Sequence, residues 1–299
     1  MNIRFGVSPI AWINDDMPEL GGGTTLEQVL GEARDIGFAG IELGGAFPRD
    51  PQELAALLAR FQLALVGGWY GSSLLQRSAR EEIAALQPHL ALLKALGCGV
   101  FIQAETSNAI HGDRSQPLSR TPRLSPTERA RFGARVTEVA DYVTAAGLRF
   151  AYHHHLGTIV ETGDDLEWFL RATGPAVGLT LDTGHATAGR VDPVALIRTQ
   201  PERIAHVHCK DVRAEVFAEL KGRDGSFLNG VLAGMFTVPG DGEVDFGKVM
   251  GALAQIGYSG WVIVEAEQDP ALANPRVYAE RGLATLRREA AAAGFRVGA

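Results

Sequence analysis

The sequence holds only two cysteines, Cys98 and Cys209, in 299 residues. That excludes a disulfide-stapled fold and points to a reduced compartment. No apolar run approaches the ~18 residues that would span a bilayer. Residues 1–5 enter a strand pattern at once, with no signal-peptide pattern. The expectation is therefore a cytoplasmic protein without a membrane partner. An excess of positive charge is also missing: 28 Lys and Arg stand against 35 Asp and Glu, a formal charge of −7. Binding to a phosphate backbone needs a positive surface, so nucleic acid is not the expected partner. Nor is there a P-loop or a Ser-His-Asp arrangement in a recognisable context. A Gly-rich phosphate turn is absent after the first strand, where Ser8-Pro9-Ile10-Ala11-Trp12 stands instead. That absence counts against a doubly wound dinucleotide-binding sheet.

What is present is alternation. Short β-rich runs at residues 3–8, 39–43, 63–68, 99–104, 148–155, 177–182, 203–209 and 260–266 are separated by longer amphipathic stretches. Helix starts are marked by Thr24-Thr25-Leu26-Glu27, which has the form of a capping box, by Asp50-Pro51, by Ser125-Pro126-Thr127-Glu128 and by Thr162-Gly163-Asp164-Asp165. The first of these helices is expected to stop at Gly37. Residues 244–257 and 275–294 complete the helical set. Strict β–α alternation implies parallel strands with crossover helices, and eight units imply closure into a (β/α)₈ TIM barrel formed by a single domain, residues 1–299. Two segments interrupt the rhythm, 105–124 and the glycine-rich 211–245. As loops after the fourth and seventh strands they belong on the active face of such a barrel.

Ionisable residues gather at the ends of the late strands. The fifth ends Tyr152-His153-His154-His155, the sixth Asp182-Thr183-Gly184-His185, the seventh His206-Val207-His208-Cys209-Lys210 and the eighth Glu265-Ala266-Glu267. With a period of two, His153 and His155 share a face, as do Asp182 and Thr180, His206, His208 and Lys210, and Ile263, Glu265 and Glu267. Cys209 falls on the helix side. A lone strand-end histidine is ordinarily a hydrogen-bonded core residue, and Asp182-Thr183-Gly184 alone could be a helix cap. Four adjacent strands aiming His, Asp, His and Glu at one point argue for a divalent metal instead, because unpaired buried charges would be costly. Mixed imidazole and carboxylate donors suit Mn²⁺, Co²⁺, Fe²⁺ or Zn²⁺ better than Ca²⁺ or Mg²⁺. Trp12, Asn14 and Asp15 could line the pocket mouth or form a polar turn. Trp69 could stack on a sugar-like ring or plug the barrel, and Glu42 could contact substrate or serve as a structural acid.

Across nearly its whole length the sequence resembles the inosose dehydratases (2-keto-myo-inositol dehydratases) of the xylose-isomerase-like TIM-barrel superfamily. The resemblance runs through Ser8-Pro9-Ile10-Ala11-Trp12, Asn14-Asp15-Asp16, Glu42-Leu43-Gly44-Gly45, the triple histidine 153–155, Leu181-Asp182-Thr183-Gly184-His185, His206-Val207-His208-Cys209-Lys210-Asp211, Ser226-Phe227-Leu228-Asn229-Gly230 and Val264-Glu265-Ala266-Glu267. The Asp–His–Glu part belongs to the whole superfamily. The triple histidine, the Asn-Asp-Asp turn and the Ser-Phe-Leu-Asn-Gly loop are specific to the dehydratases. Most of the superfamily places a glutamate at the end of the fifth strand; here His153 stands there, with Glu161 as the alternative fourth ligand.

The resemblance implies a hydro-lyase of inositol catabolism. Such an enzyme takes water from scyllo-inosose through an enediolate and gives a trihydroxycyclohexane-1,2-dione. It implies Mn²⁺ or Co²⁺, held here by His153, Asp182, His208 and Glu265, and a dependence on glutathione for which no residue reveals a site. Glu265 is the expected base, and His155 or Lys210 the expected acid. Trp12, Asn14, Asp15, Glu42, Trp69, His185, Arg213 and Asn229 are the candidates for binding a cyclic polyol ketone. The competing readings are a ketose epimerase or isomerase, an abasic-site endonuclease and a non-catalytic sugar-binding barrel. Assembly into a homo-oligomer is left open.

Overall fold

The computed structural model describes residues 1–298. Eight parallel strands form a closed ring: β1 (Asn2–Val7), β2 (Gly40–Leu43), β3 (Ala64–Ser72), β4 (Val100–Glu105), β5 (Arg149–His153), β6 (Val177–Asp182), β7 (Ile204–Cys209) and β10 (Gly260–Val264). Strand β10 pairs with both β7 and β1, which closes the barrel. The expected fold is the observed one. The spans shift most at β3, which runs on through Trp69 and Tyr70, and at β5, which stops at His153 rather than His155.

Around the ring lie α1 (Leu26–Ile36), α2 (Pro51–Phe61), α5 (Pro126–Ala145), α6 (Gly163–Ala172), α11 (Phe246–Gln255) and α12 (Pro275–Ala292). Asp50 caps α2 ahead of Pro51, and Ser125 with Glu128 and Thr162 with Asp165 form capping boxes. The first helix departs by one residue. Its N-cap is Thr25, which accepts from the Gln28 amide, so the expected box between Thr24 and Glu27 does not form. Three further helices lie outside the expected set, α3 (Ala79–Ala85), α4 (Gln87–Ala95) and α8 (Pro193–Thr199), while α7 (Thr183–Ala188) follows the cap that Asp182-Thr183-Gly184 offered. Each has nine residues or fewer, too short for a clear 3.6-residue period.

Two concentric cores follow from strand alternation. Between strands and helices pack Phe5, Ile41, Phe101, Phe150, Leu179, Val207 and Val262. Inside the ring, two clusters fill the floor, Val66, Trp261 and Ile263 in one and Val100, Ile102, Ala151 and Ala205 in the other. The floor has room for Trp261 only because Gly40 faces it: a Cβ there would lie 2.7 Å from the indole. The segment after β7 is more than a loop. It folds into a two-stranded antiparallel hairpin, β8 (Asp211–Val212) with β9 (Phe236–Thr237), enclosing α9 (Ala214–Gly222) and α10 (Phe227–Leu232). Its own hydrophobic cluster joins Phe227, Val231, Met235 and Phe236 to Met17 and Leu156 from neighbouring loops. A short strand β11 (Arg296–Val297) pairs parallel with β1 outside the ring.

Among the described residues no helix is long and apolar enough to cross a membrane. Both cysteines are free and buried, and burial pushes the Cys98 thiol up to about 12 and Cys209 also upward. Thiolate is the reactive form. Neither thiol is therefore expected to react with an aromatic disulfide reagent in the native protein, whereas both should titrate in denaturant. Prompt labelling of one equivalent under native conditions would contradict this.

Candidate active site

At the carboxyl ends of the strands the barrel opens into a cleft of about 680 Å³, the open solvent at its mouth included. Its floor is set by the inward-facing register. Asp182 on β6 sits directly beside His208 on β7, and His208 beside Ile263 on β10, one step before the inward Glu265. His153 ends β5 on the same face as Ala151. These four side chains meet. His153 Nε2 lies 3.6 Å and His208 Nδ1 3.8 Å from Asp182 Oδ2, and His208 Nδ1 lies 2.7 Å from Glu265 Oε2.

The polar accounting of this group is incomplete. Both ring nitrogens of His153, Asp182 Oδ2 and His208 Nδ1 are buried and lack a hydrogen-bond partner; the close approach of His208 to Glu265 does not have hydrogen-bond alignment. Orphaned buried polar atoms are rare because each is costly. Three buried carboxylates, those of Asp182, Glu265 and Glu267, surround Lys210, and a fourth, Glu42, is buried against His206 and His208. Converging lone pairs and an excess of negative charge both fit a divalent cation, and His153, Asp182 and His208 are close enough to share one. On its far side His208 donates from Nε2 to Glu42 Oε1 at 2.9 Å, and His206 Nε2 reaches the same oxygen at 2.8 Å. A carboxylate gripping one imidazole nitrogen leaves the other oriented as a ligand.

Charge is distributed unevenly. Burial pushes the Glu42 carboxyl up, but His208 and His206 outweigh it and hold Glu42 at about 2. Burial opposes ionisation of Glu265 as well, yet His208 and Lys210 keep it well below the usual carboxylate range. For Glu267 burial wins over Lys210 and lifts the carboxyl to about 7. Burial draws His153 and His155 down, so both rings are neutral near pH 7.

The remaining candidates divide. Asp15, Glu42, Trp69 and His155 line the cleft. Lys210 is fully buried behind the cleft wall, 2.7 Å from Glu265 Oε1, 2.5 Å from Glu267 Oε1 and 3.1 Å from His185 Nε2. His185 is likewise off the cleft, packed against His155 with ring centres 3.8 Å apart and planes tilted by 39°. The group His155–His185–Glu267 could hold a metal by spacing, but the Lys210 ammonium already sits against two of its members.

Several expectations are corrected. Glu161 is not available as a fourth ligand: it accepts from Thr121 and the Gly157 amide and pairs with Arg123, away from the cluster. Trp12 is buried, its indole donating to Glu32 at 2.6 Å. Asn14 spends Oδ1 on the amides of Asp16 and Met17 and does not line the cleft. Arg213 clamps Gly234, Thr237 and Asp241 inside the segment after β7. Asn229 faces a separate surface groove with Arg114 and Ser226.

Sequence reasoning passed over Asp16, Glu267 and His111, which also line the cleft, and His206. Glu267 and His206 carried a signal, since each shares the inward period with a chosen neighbour. His111 had none: it enters because Ile110 N–H bonds to the Gly157 carbonyl at 2.9 Å. Gly157 permits this, with φ at +76° and no room for a Cβ, which would lie 3.0 Å from the His111 amide nitrogen.

Comparison with known proteins agrees with this fold. Residues 30–289 match the family model described as xylose isomerase-like TIM barrel. The rhizopine catabolism protein MocC of Rhizobium meliloti is 46% identical over 99% of this chain and 91% of its own. The inosose dehydratase of Geobacillus thermodenitrificans is 39% identical over 93% of this chain and 94% of its own, and that of Yersinia enterocolitica 37% over the same shares. Among solved structures, an L-ribulose 3-epimerase superposes with a TM-score of 0.69 at 19% identity, covering 97% of this chain and 95% of that one; at that identity the likeness speaks for the fold alone.

Proposed function

The chain belongs to the xylose isomerase-like TIM barrel family, and on that premise we propose that it is a dehydratase that removes water from scyllo-inosose to give a trihydroxycyclohexane-1,2-dione. The observation that carries this reading is the meeting of His153, Asp182, His208 and Glu265 at the barrel mouth, in a chain whose relatives include inosose dehydratases. These four residues would hold a divalent cation, with Mn²⁺ and Co²⁺ best suited to the donors. When bound there the cation supplies Lewis acidity that makes a ketone's α-hydrogen easier to remove. Glu265 lines the cleft as an ionised carboxylate and takes the α-proton. The carbon–oxygen bond of the β-hydroxyl then breaks, and the hydroxyl leaves as water once it has received a proton.

For that proton the placement favours His155 over Lys210. His155 lines the cleft; its Nδ1 lies 2.7 Å from the Leu156 carbonyl and donates to it, so Nε2 of the neutral ring carries a lone pair, which first takes over the proton removed from the α-carbon and then passes it to the leaving hydroxyl. Lys210 acts from behind, holding Glu265 and Glu267 in place. Asp15, Glu42 and Trp69 remain as substrate contacts.

Incubation of the Mn²⁺- or Co²⁺-loaded protein with scyllo-inosose is expected to yield a product absorbing in the ultraviolet with loss of one water. A new sugar of unchanged mass would establish epimerisation instead. The higher identity to the rhizopine catabolism protein carries a second reading, a substrate drawn from the breakdown of rhizopine. Turnover of such a compound in preference to inosose would establish it.

A further inference from the structure

A cation at the His153–Asp182–His208–Glu265 group would meet the orphaned atoms that converge there, but it leaves two others that line the cleft unexplained. Glu267 Oε2 and His111 Nδ1 are both buried without a hydrogen-bond partner, and both residues line the cleft. Glu267 is 2% and His111 8% exposed. Neither is idle through looseness. The other oxygen of Glu267 is held by Lys210 at 2.5 Å, and the His111 ring packs on His155 at 4.8 Å and edge-on to Trp69 at 6.3 Å. Glu267 follows β10 and His111 lies in the loop after β4, two strands that stand opposite each other in the ring of eight.

The charge of the cleft narrows what could meet these atoms. Asp15, Asp16, Glu42, Glu265 and Glu267 line it, and among the described residues no lysine or arginine does. A phosphate or carboxylate on the ligand would face like charges with no cation of the protein to receive it. An uncharged hydroxyl can donate to a carboxylate oxygen and can either donate to or accept from an imidazole nitrogen.

We propose that Glu267 and His111 are specificity-determining contacts that bind ring hydroxyls, and that they restrict this cleft to uncharged polyhydroxylated rings as opposed to sugar phosphates. The proposal deepens the dehydratase reading and rests on it for the reaction, but its test does not need turnover. The probes are myo-inositol, a neutral ring with no ketone to react, and myo-inositol 1-phosphate, each titrated calorimetrically into the divalent-metal-loaded full chain.

The wild-type protein should bind myo-inositol and bind the phosphate at least about tenfold more weakly. Replacement of a hydrogen-bonding partner in a buried site costs roughly tenfold or more in affinity. His111→Ala and Glu267→Gln are each expected to weaken myo-inositol binding by about that factor with metal content unchanged. His111→Asn, which restores a polar atom near the position of Nδ1, should recover part of the loss, as a purely packing role would not. Absent binding of myo-inositol, phosphate binding as tight as that of the neutral ring, or unchanged affinity in both alanine and glutamine variants overturns the proposal. Loss of metal from Glu267→Gln removes Glu267 from it and assigns that residue to the metal group. If inosose is not turned over while these binding results hold, the dehydration reading fails and the recognition of neutral polyols stands.

Discussion

Asp182→Ala is expected to abolish both divalent-metal binding and turnover of inosose. Asp182 Oδ2 is shared among three neighbours: it lies 3.6 Å from His153, 3.8 Å from His208 and 3.5 Å from Lys210. Burial opposes its charge, but Lys210 and His153 hold the carboxyl below its ordinary value, so it faces the cluster ionised. Replacing residues that merely support a metal ligand costs about 10–100-fold in affinity or activity. Loss of the shared carboxylate itself should exceed about a hundredfold.

The same side chain has a second duty, because Asp182 Oδ1 accepts from the His185 amide and caps α7. Losing a cap costs about 1 kcal/mol, which lowers stability without touching the chemistry. Asp182→Asn separates the two. It keeps an oxygen for the cap and the volume of the side chain while removing the charge, so with both proteins freed of metal it should melt close to the wild type, and after exposure to metal it should still lack it by elemental analysis. Full metal content in either variant would contradict the assignment.

How much of this was legible in the sequence depends on which physical rule was available. The two-residue period of a strand places side chains without any tertiary information, so His153, Asp182, His208, Lys210 and Glu265 were correctly aimed inward from their spacing. The period gives direction but not depth. Lys210 points inward as read, yet it stops behind Glu265 and Glu267 instead of reaching the cleft. Loops offer no such rule. Trp12, Arg213 and Asn229 sit in segments at the mouth, but their polar atoms are taken by Glu32, by Asp241 with Thr237, and by a separate groove, choices made by residues 20 or more positions away in the first two cases. The segment after β7 looked unstructured because its helices have only nine and six residues. What holds them is a hydrophobic cluster assembled with Met17 and Leu156 from distant parts of the chain.

Lys210→Met is the second substitution with a large expected effect, and its pattern tells counter-charge from proton donor. The lysine is fully buried and touches three carboxylates, with Nζ 2.5 Å from Glu267, 2.7 Å from Glu265 and 3.5 Å from Asp182. Those partners keep it charged, raising its affinity for a proton against the burial that opposes it. Removing one member of a buried ion pair strands the others and typically costs 3–5 kcal/mol. The variant without added metal should therefore unfold at markedly lower denaturant than the wild type.

A divalent cation changes the balance, since it neutralises the carboxylates that the lysine had served and no longer competes with an ammonium beside them. The stability gained on adding Mn²⁺ should then be larger for Lys210→Met than for the wild type, because a ligand that binds only the folded chain stabilises it in proportion to the logarithm of its affinity. Turnover should still fall by at least about a hundredfold, within the range for lost acid–base assistance, as Glu265 and Glu267 lose the group that positions them. If metal adds no more stability to the variant than to the wild type, the lysine is not the counter-charge of this cluster. If turnover also survives, it does not position the two glutamates either.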